Sequence, residues 1–390
     1  MKGLGLVACI ALLSFAALAQ NGPTCSVTII NSNSSNCTGN EWLPNLTACE
    51  YAKVSCLSFL NNGTTYTFAD NYITFGYKNP SGTSNGTVVF FSDGGGETTD
   101  EDAGGTSTAY AEYYNAQNYQ VVQTAWSSDW EDTGTSTKQI AYAAGRPAAF
   151  ILWAYNNLFG SITQTGTAGM CVQGASAGGA AAMYALAWYG QYSIIDKVSL
   201  LSAPPLSDVA RGCYYLTNGL SRAPTAVCPS GQLGCNSYNS PASWTQAVNY
   251  TSTALGQVQT WTGDNNCGGP YETTGAELSA WKKMSIVDGN VATFNYPQTA
   301  ITTWLCSSVA NGGTMNNSSP EAQLFFQQFT SPSQYYSLVI NGVGSCASSE
   351  EVGPGTPPQN YVNMGYTTGM EAIEYDMVTD PVNQCKSHPN

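Results

Sequence analysis

Five residues, Gly174-Ala175-Ser176-Ala177-Gly178, constrain the fold more than any other stretch of this 390-residue chain. They follow the short apolar, strand-like run Met170-Cys171-Val172-Gln173 and lead into Gly178-Gly179-Ala180-Ala181-Ala182, whose small side chains let a helix pack closely on a sheet. The pattern requires a strand that turns sharply into a helix, with a serine at the turn. Such a serine is a useful nucleophile only if a neighbouring group takes its proton. The chain has one histidine, His388, so the turn and that residue pose a single question.

The segments around this turn alternate between strand and helix patterns. Gly86 to Phe91 reads as a buried strand opening into the loop Asp93-Gly94-Gly95-Gly96, and Gln120 to Trp126 reads as a second, with a helical stretch from Ser107 to Asn118 between them. A helix is expected from Lys138 to Leu158, and further strands at Val198 to Leu201, Ala300 to Leu305 and Tyr335 to Ile340. Helices are expected from Pro320 to Phe329 and from Asn360 to Met377. Strands alternating with helices build a mostly parallel sheet.

The ends and the middle have a different character. Residues 1–19 carry Lys2, an apolar run and the small-x-small ending Ala17-Leu18-Ala19, the pattern of a secretory signal peptide, whose core is too short to span a membrane. No later stretch stays apolar long enough to do so. The expected location is extracellular, or periplasmic in a bacterium. Residues 20–74 form a Cys-containing extension, 75–208 and 296–390 the core, and 209–295, rich in Gly, Pro, Trp and cysteine, a disulfide-stapled cap.

Thirteen cysteines less Cys9 of the leader leave an even number, which in an exported chain reads as disulfides. Cys171 within one strand and Cys306 at the end of another read as buried free thiols. One histidine and no paired Cys-x-x-Cys argue against a zinc site, and the acidic loop around Asp93, Glu97, Asp100, Glu101 and Asp102 lacks EF-hand spacing. No metal or cofactor is expected. A net charge of −14 with 9% charged residues argues against nucleic acid as a partner. Asn33, Asn36, Asn45, Asn62, Asn85, Asn249, Asn316 and Asn317 begin Asn-x-Ser/Thr sequons, several of them expected by chance in so Asn- and Thr-rich a chain.

From about residue 75 the chain resembles the α/β-hydrolase superfamily, through the loop after the first strand, the Gly-x-Ser-x-Gly turn, the cap position and the strand order. The resemblance implies an α/β fold with a mostly parallel central sheet flanked by helices and a cap insertion. It implies Ser176 as nucleophile, with the Ala177 N–H and an N–H from the Gly94-Gly95 loop as oxyanion hole. The substrate would be a small or polymeric ester, polymer-derived or lipid-like.

In that superfamily the acid follows the strand expected here at 300–305 and the histidine follows the strand at 335–340. This chain has Cys306 to Asn311 and Asn341 to Cys346 there, without either residue. Two readings stay open. In the first, a Cys346–Cys385 bridge brings the tail back so that His388 serves Ser176, with Asp208 as acid and Asp376 and Asp380 as further candidates nearer in sequence. In the second, the fold and the pocket persist in a catalytically silent binding protein, and His388 is a solvated tail residue.

Overall fold

The computed structural model describes residues 22–32, 34–61, 63–92, 106–131, 140–175, 177–201, 284–286, 294–306, 336–341, 363–364 and 368–388. Their centre is a nine-stranded sheet. In chain order the strands are β1 (Cys25–Ser32), β2 (Ala48–Cys56), β5 (Asn71–Lys78), β6 (Ser84–Phe91), β7 (Tyr119–Trp126), β8 (Gln164–Ala175), β9 (Lys197–Leu201), β10 (Ala300–Cys306) and β11 (Tyr336–Asn341). The short β3 (Phe59–Asn61) and β4 (Thr64–Tyr66) pair separately. Across the sheet the order is β1-β2-β5-β7-β6-β8-β9-β10-β11. From β7 to β11 every pairing is parallel, while β1, β2 and β5 are added antiparallel at one edge. This is the expected α/β-hydrolase fold.

The cysteine-containing extension expected over 20–74 joins the sheet. Its strands continue the central sheet, and the boundary at 74/75 falls inside β5. In these strands core-facing side chains such as Ala52, Val54, Ile73 and Phe75 alternate with less buried ones such as Thr28, Lys53 and Thr74, a pattern without a continuous apolar run. Of the cap, only 284–286 and 294–295 are described; Met284 and Ile286 are already buried in the core, with the Tyr184 hydroxyl donating to the Met284 carbonyl at 2.6 Å.

Helices cover both faces. Helix α1 (Thr106–Ala116) and helix α5 (Gly369–Val378) lie on one; α2 (Ile140–Ala143), α3 (Gly145–Asn157) and α4 (Ala177–Met183) pack on the other. The single helix expected over 138–158 is two, because Pro147 has no N–H to give the carbonyl four residues back and its ring crowds it. Helix α5 starts at Gly369, where Thr368 and Glu371 form a reciprocal capping box. On the α1 face Phe90 stacks on Tyr114 at 5.8 Å, worth about 1 kcal/mol beyond the area it buries, and the Tyr114 hydroxyl donates to Gln173 Oε1 at 2.8 Å.

Among the described residues three cystines are formed: Cys25–Cys56, Cys37–Cys49 and Cys171–Cys385. The third corrects two expectations: Cys171 is not a free thiol, and Cys385 is not bridged to Cys346. Disulfides suit an oxidising compartment, and no helix among the described residues is long and apolar enough to cross a membrane. The Cys171–Cys385 bond spans 214 residues, so it removes much freedom from the unfolded chain. The double variant Cys171→Ala/Cys385→Ala should lose about 2–5 kcal/mol in urea unfolding. An unchanged midpoint would show that the tail is held without it.

Candidate active site

A parallel sheet has two unlike ends, and in open α/β sheets ligands bind beyond the carboxyl ends of the strands. At that end β8 closes on Ala175 and α4 opens at Ala177, so the turn expected at 174–178 is a strand-to-helix junction. Its glycines are forced by contact. A Cβ on Gly174 would lie 2.6 Å from the Gly179 nitrogen, and one on Gly178 would lie 2.5 Å from the Ser92 carbonyl oxygen. Helix α4 is therefore pressed against both its own strand and the end of β6. The chain leaves β6 at Ser92 beside Gly178. Ala177, the first residue of α4, is buried. Past α4 the helix widens into a π turn, Tyr184–Trp188, all of it buried, so Tyr184, Trp188 and the adjacent Tyr189 pack rather than line an opening. Trp126 and Trp130 are core residues as well.

Ser176, Gly94, Gly95 and Asp208 lie outside the described residues. His388 and Asp376 lie within them, at the opposite end of the sheet. The tail forms an antiparallel bridge from Lys386 to Ala168, and the Ser387 N–H donates to the Thr167 carbonyl at 3.0 Å. Ala168 is seven residues before Ala175 along β8, roughly 23 Å at the rise of an extended strand. His388 Nδ1 is 3.2 Å from the carbonyl of Gln298, just before β10 begins, and its Nε2 is 3.1 Å from the Val382 carbonyl. The structure thus does not bring His388 to the turn. The tail returns to the sheet, but to the ends where the strands begin.

Asp376 serves a different partner. Its Oδ2 is 2.6 Å from Lys197 Nζ, and both side chains are fully buried. Lys197 also donates to the Asn383 carbonyl at 2.6 Å and to Thr302 Oγ1 at 3.3 Å. This lysine is the first residue of β9. Its role depends on register, which pairs it with Cys171 on the face that α5 covers. Asp380 caps the turn after α5, accepting from the N–H groups of Val382 and Asn383.

Burial holds the His388 imidazole below its ordinary pKa, with the charges of Lys197 and Lys386 acting in the same sense and the two carbonyls opposing. Nearby, burial pushes Asp196 up to about 7 although its Oδ2 accepts from the Met170 N–H at 2.8 Å. Both ring nitrogens of His388 are turned towards carbonyl oxygens of the tail and of the segment before β10, and so away from the turn.

No protein-family model and no curated protein sequence matches the chain. Similar solved structures include lipase A of Candida antarctica, at 10% identity and a TM-score of 0.42 over 84% of this chain and 77% of the lipase. Acetyl xylan esterase 1 of a Thermoanaerobacterium species is similar at 11% identity and 0.45, over 88% of this chain and 87% of the esterase. A thermostable carboxylesterase from a metagenomic library is similar at 10% and 0.43, over 86% and 88%. The fold assignment itself rests on the order and directions of the strands.

Gly178→Ala should cost at least about 2 kcal/mol, because its Cβ meets backbone that cannot yield. Gly166→Ala on the same strand, with open space around it, should change stability by less than about 0.5 kcal/mol. For His388, the folded pKa lies below the unfolded value, so the unfolded chain binds the extra proton first. Its contribution to stability is present at neutral pH and is lost as pH falls through and below about 6.5. Asp196 has the opposite sign, but it is common to both proteins compared. The drop in melting temperature from pH 7.5 to 5 should therefore be smaller in His388→Gln than in the parent; an equal drop would contradict the assignment.

Proposed function

We propose that the chain is an exported serine hydrolase of carboxylic esters in which Ser176 attacks without histidine assistance. The observation that carries this reading is the pair of glycines, 174 and 178, pressed between β8, α4 and the end of β6, because a strand-to-helix turn this tight serves to lift a serine out of the sheet. In the proposed reaction the Ser176 oxygen adds to the ester carbonyl and the oxyanion is held by the N–H groups of Ala177 and of Gly94 or Gly95. Collapse of the intermediate expels the alcohol, and water then releases the acid. Without an imidazole, the serine proton goes to solvent, so the reaction forgoes the 10²–10⁴-fold that a positioned base supplies. What remains is the catalysis an oxyanion hole and binding provide alone, about 10³–10⁴-fold over water. The names of the similar structures, lipase and esterase, fit an ester substrate.

The second reading is a binding protein that keeps the pocket and has no turnover. The placement of His388 at the far end of the sheet favours it.

An active-site-directed fluorophosphonate separates the two. The hydrolase reading predicts stoichiometric labelling that is abolished by Ser176→Ala and unaffected by His388→Gln. It also predicts a labelling rate that climbs steadily from pH 6 to 9, without the inflection near 6.5 that a histidine base imposes. Absence of labelling in folded protein would leave the binding reading. A large loss of rate in His388→Gln would return the histidine to the site.

A further inference from the structure

Of the sequon asparagines, Asn36, Asn45 and Asn85 lie among the described residues, and their surroundings differ. Asn36 donates through Nδ2 to Asn31 Oδ1 at 3.2 Å, and Asn85, within β6, donates to the Gln117 carbonyl at 2.9 Å. Both are partly buried. Asn45 is exposed, has its backbone in the left-handed region at φ 57°, and makes no side-chain hydrogen bond among the described residues.

The turn that carries Asn45 is held rigidly from both sides. Cys37–Cys49 closes the loop around it. Gln123 receives the Leu43 N–H at 2.8 Å and donates to the Glu41 carbonyl at 2.9 Å, while Lys78 donates to the Pro44 carbonyl at 3.0 Å. Beside Asn45 opens a cleft of about 610 Å³ whose lining includes Trp42, Leu46, Asn40 and Glu112. That size lies within the range of pockets that hold small organic ligands. Its lining, Leu46 with the amide of Asn40, the carboxylate of Glu112 and the edge of the buried Trp42, gives mixed apolar and polar room for a sugar ring.

We infer that Asn45 is an N-glycosylation acceptor, with the cleft giving room to the first sugar of the glycan. The donor is a lipid-diphosphate-linked oligosaccharide. A bond forms between Asn45 Nδ2 and the anomeric carbon, the bond from that carbon to the diphosphate oxygen breaks, and the amide loses one proton as the lipid diphosphate leaves. No fold contact is given up, in contrast with Asn36 and Asn85, whose amide nitrogens are engaged. The left-handed backbone suits asparagine.

The test uses the full chain with its leader, secreted from a eukaryotic host. Glycans are released by peptide N-glycosidase in heavy-oxygen water, and the peptide containing residue 45 is examined for the labelled aspartate that marks a former glycan. The expected result is label at position 45 in most molecules, and an Asn45→Asp variant lighter by one glycan yet secreted and folded as before. Asp tolerates the same backbone region, so the variant isolates the modification. Unlabelled residue 45 in secreted protein, or a variant of unchanged glycan mass, would overturn the inference.

Discussion

The cystine between Cys171 and Cys385 fixes which end of a polar sheet the C-terminal tail occupies, and the reading of the site depends on it. Strands β6 to β11 point one way, so the ends where they finish and the ends where they start are different chemical places. Chain termini are ordinarily mobile. Here the tail is held by the cystine, by the bridge from Lys386 to Ala168, by the Tyr119 hydroxyl donating to the Cys385 carbonyl at 3.1 Å, and by the Cys385 N–H on the Met377 carbonyl. The histidine is carried along with these contacts. Its position follows from where Cys171 lies on β8 rather than from any need of Ser176.

The polar groups under the tail form one buried cluster. Lys197 reaches Asp376, Thr302 and the Asn383 carbonyl, which satisfies its three protons. Burial raises the Asp376 carboxyl even with the lysine beside it. Taking two charges out of water offsets much of their attraction, so such a pair adds little net stability, while losing one partner costs about 3–5 kcal/mol. The cluster therefore specifies how α5 and the tail sit more than it strengthens the fold. At the other end of the sheet the corresponding constraint is steric, the backbone of α4 against that of β6, and it acts on the turn that carries the serine.

Much of the core was legible in the sequence because buried parallel strands are rich in apolar residues: Val88 to Phe91, Val121 and Val122, Val198, Leu200 and Leu201, and Ala300 and Ile301. The Gly-x-Ser-x-Gly spacing located the turn, and its glycines are where contact demands them. The strands β1 and β2 towards one edge were not legible, since one polar-faced strand looks like a loop when half its side chains meet water. Nor were the cystine partners or the register of Lys197, because both depend on which strands become neighbours.

Because the chain has one histidine, its imidazole can be followed without ambiguity. The most direct test is to label the protein with nitrogen-15 histidine and record the ring resonances before and after Ser176 is phosphonylated. With the histidine and the serine at opposite ends of the sheet, the ring shifts and their pH midpoint should be the same in both states. A shift of the ring nitrogens, or a raised imidazole pKa in the phosphonylated protein, would show that His388 faces the serine and would contradict the account.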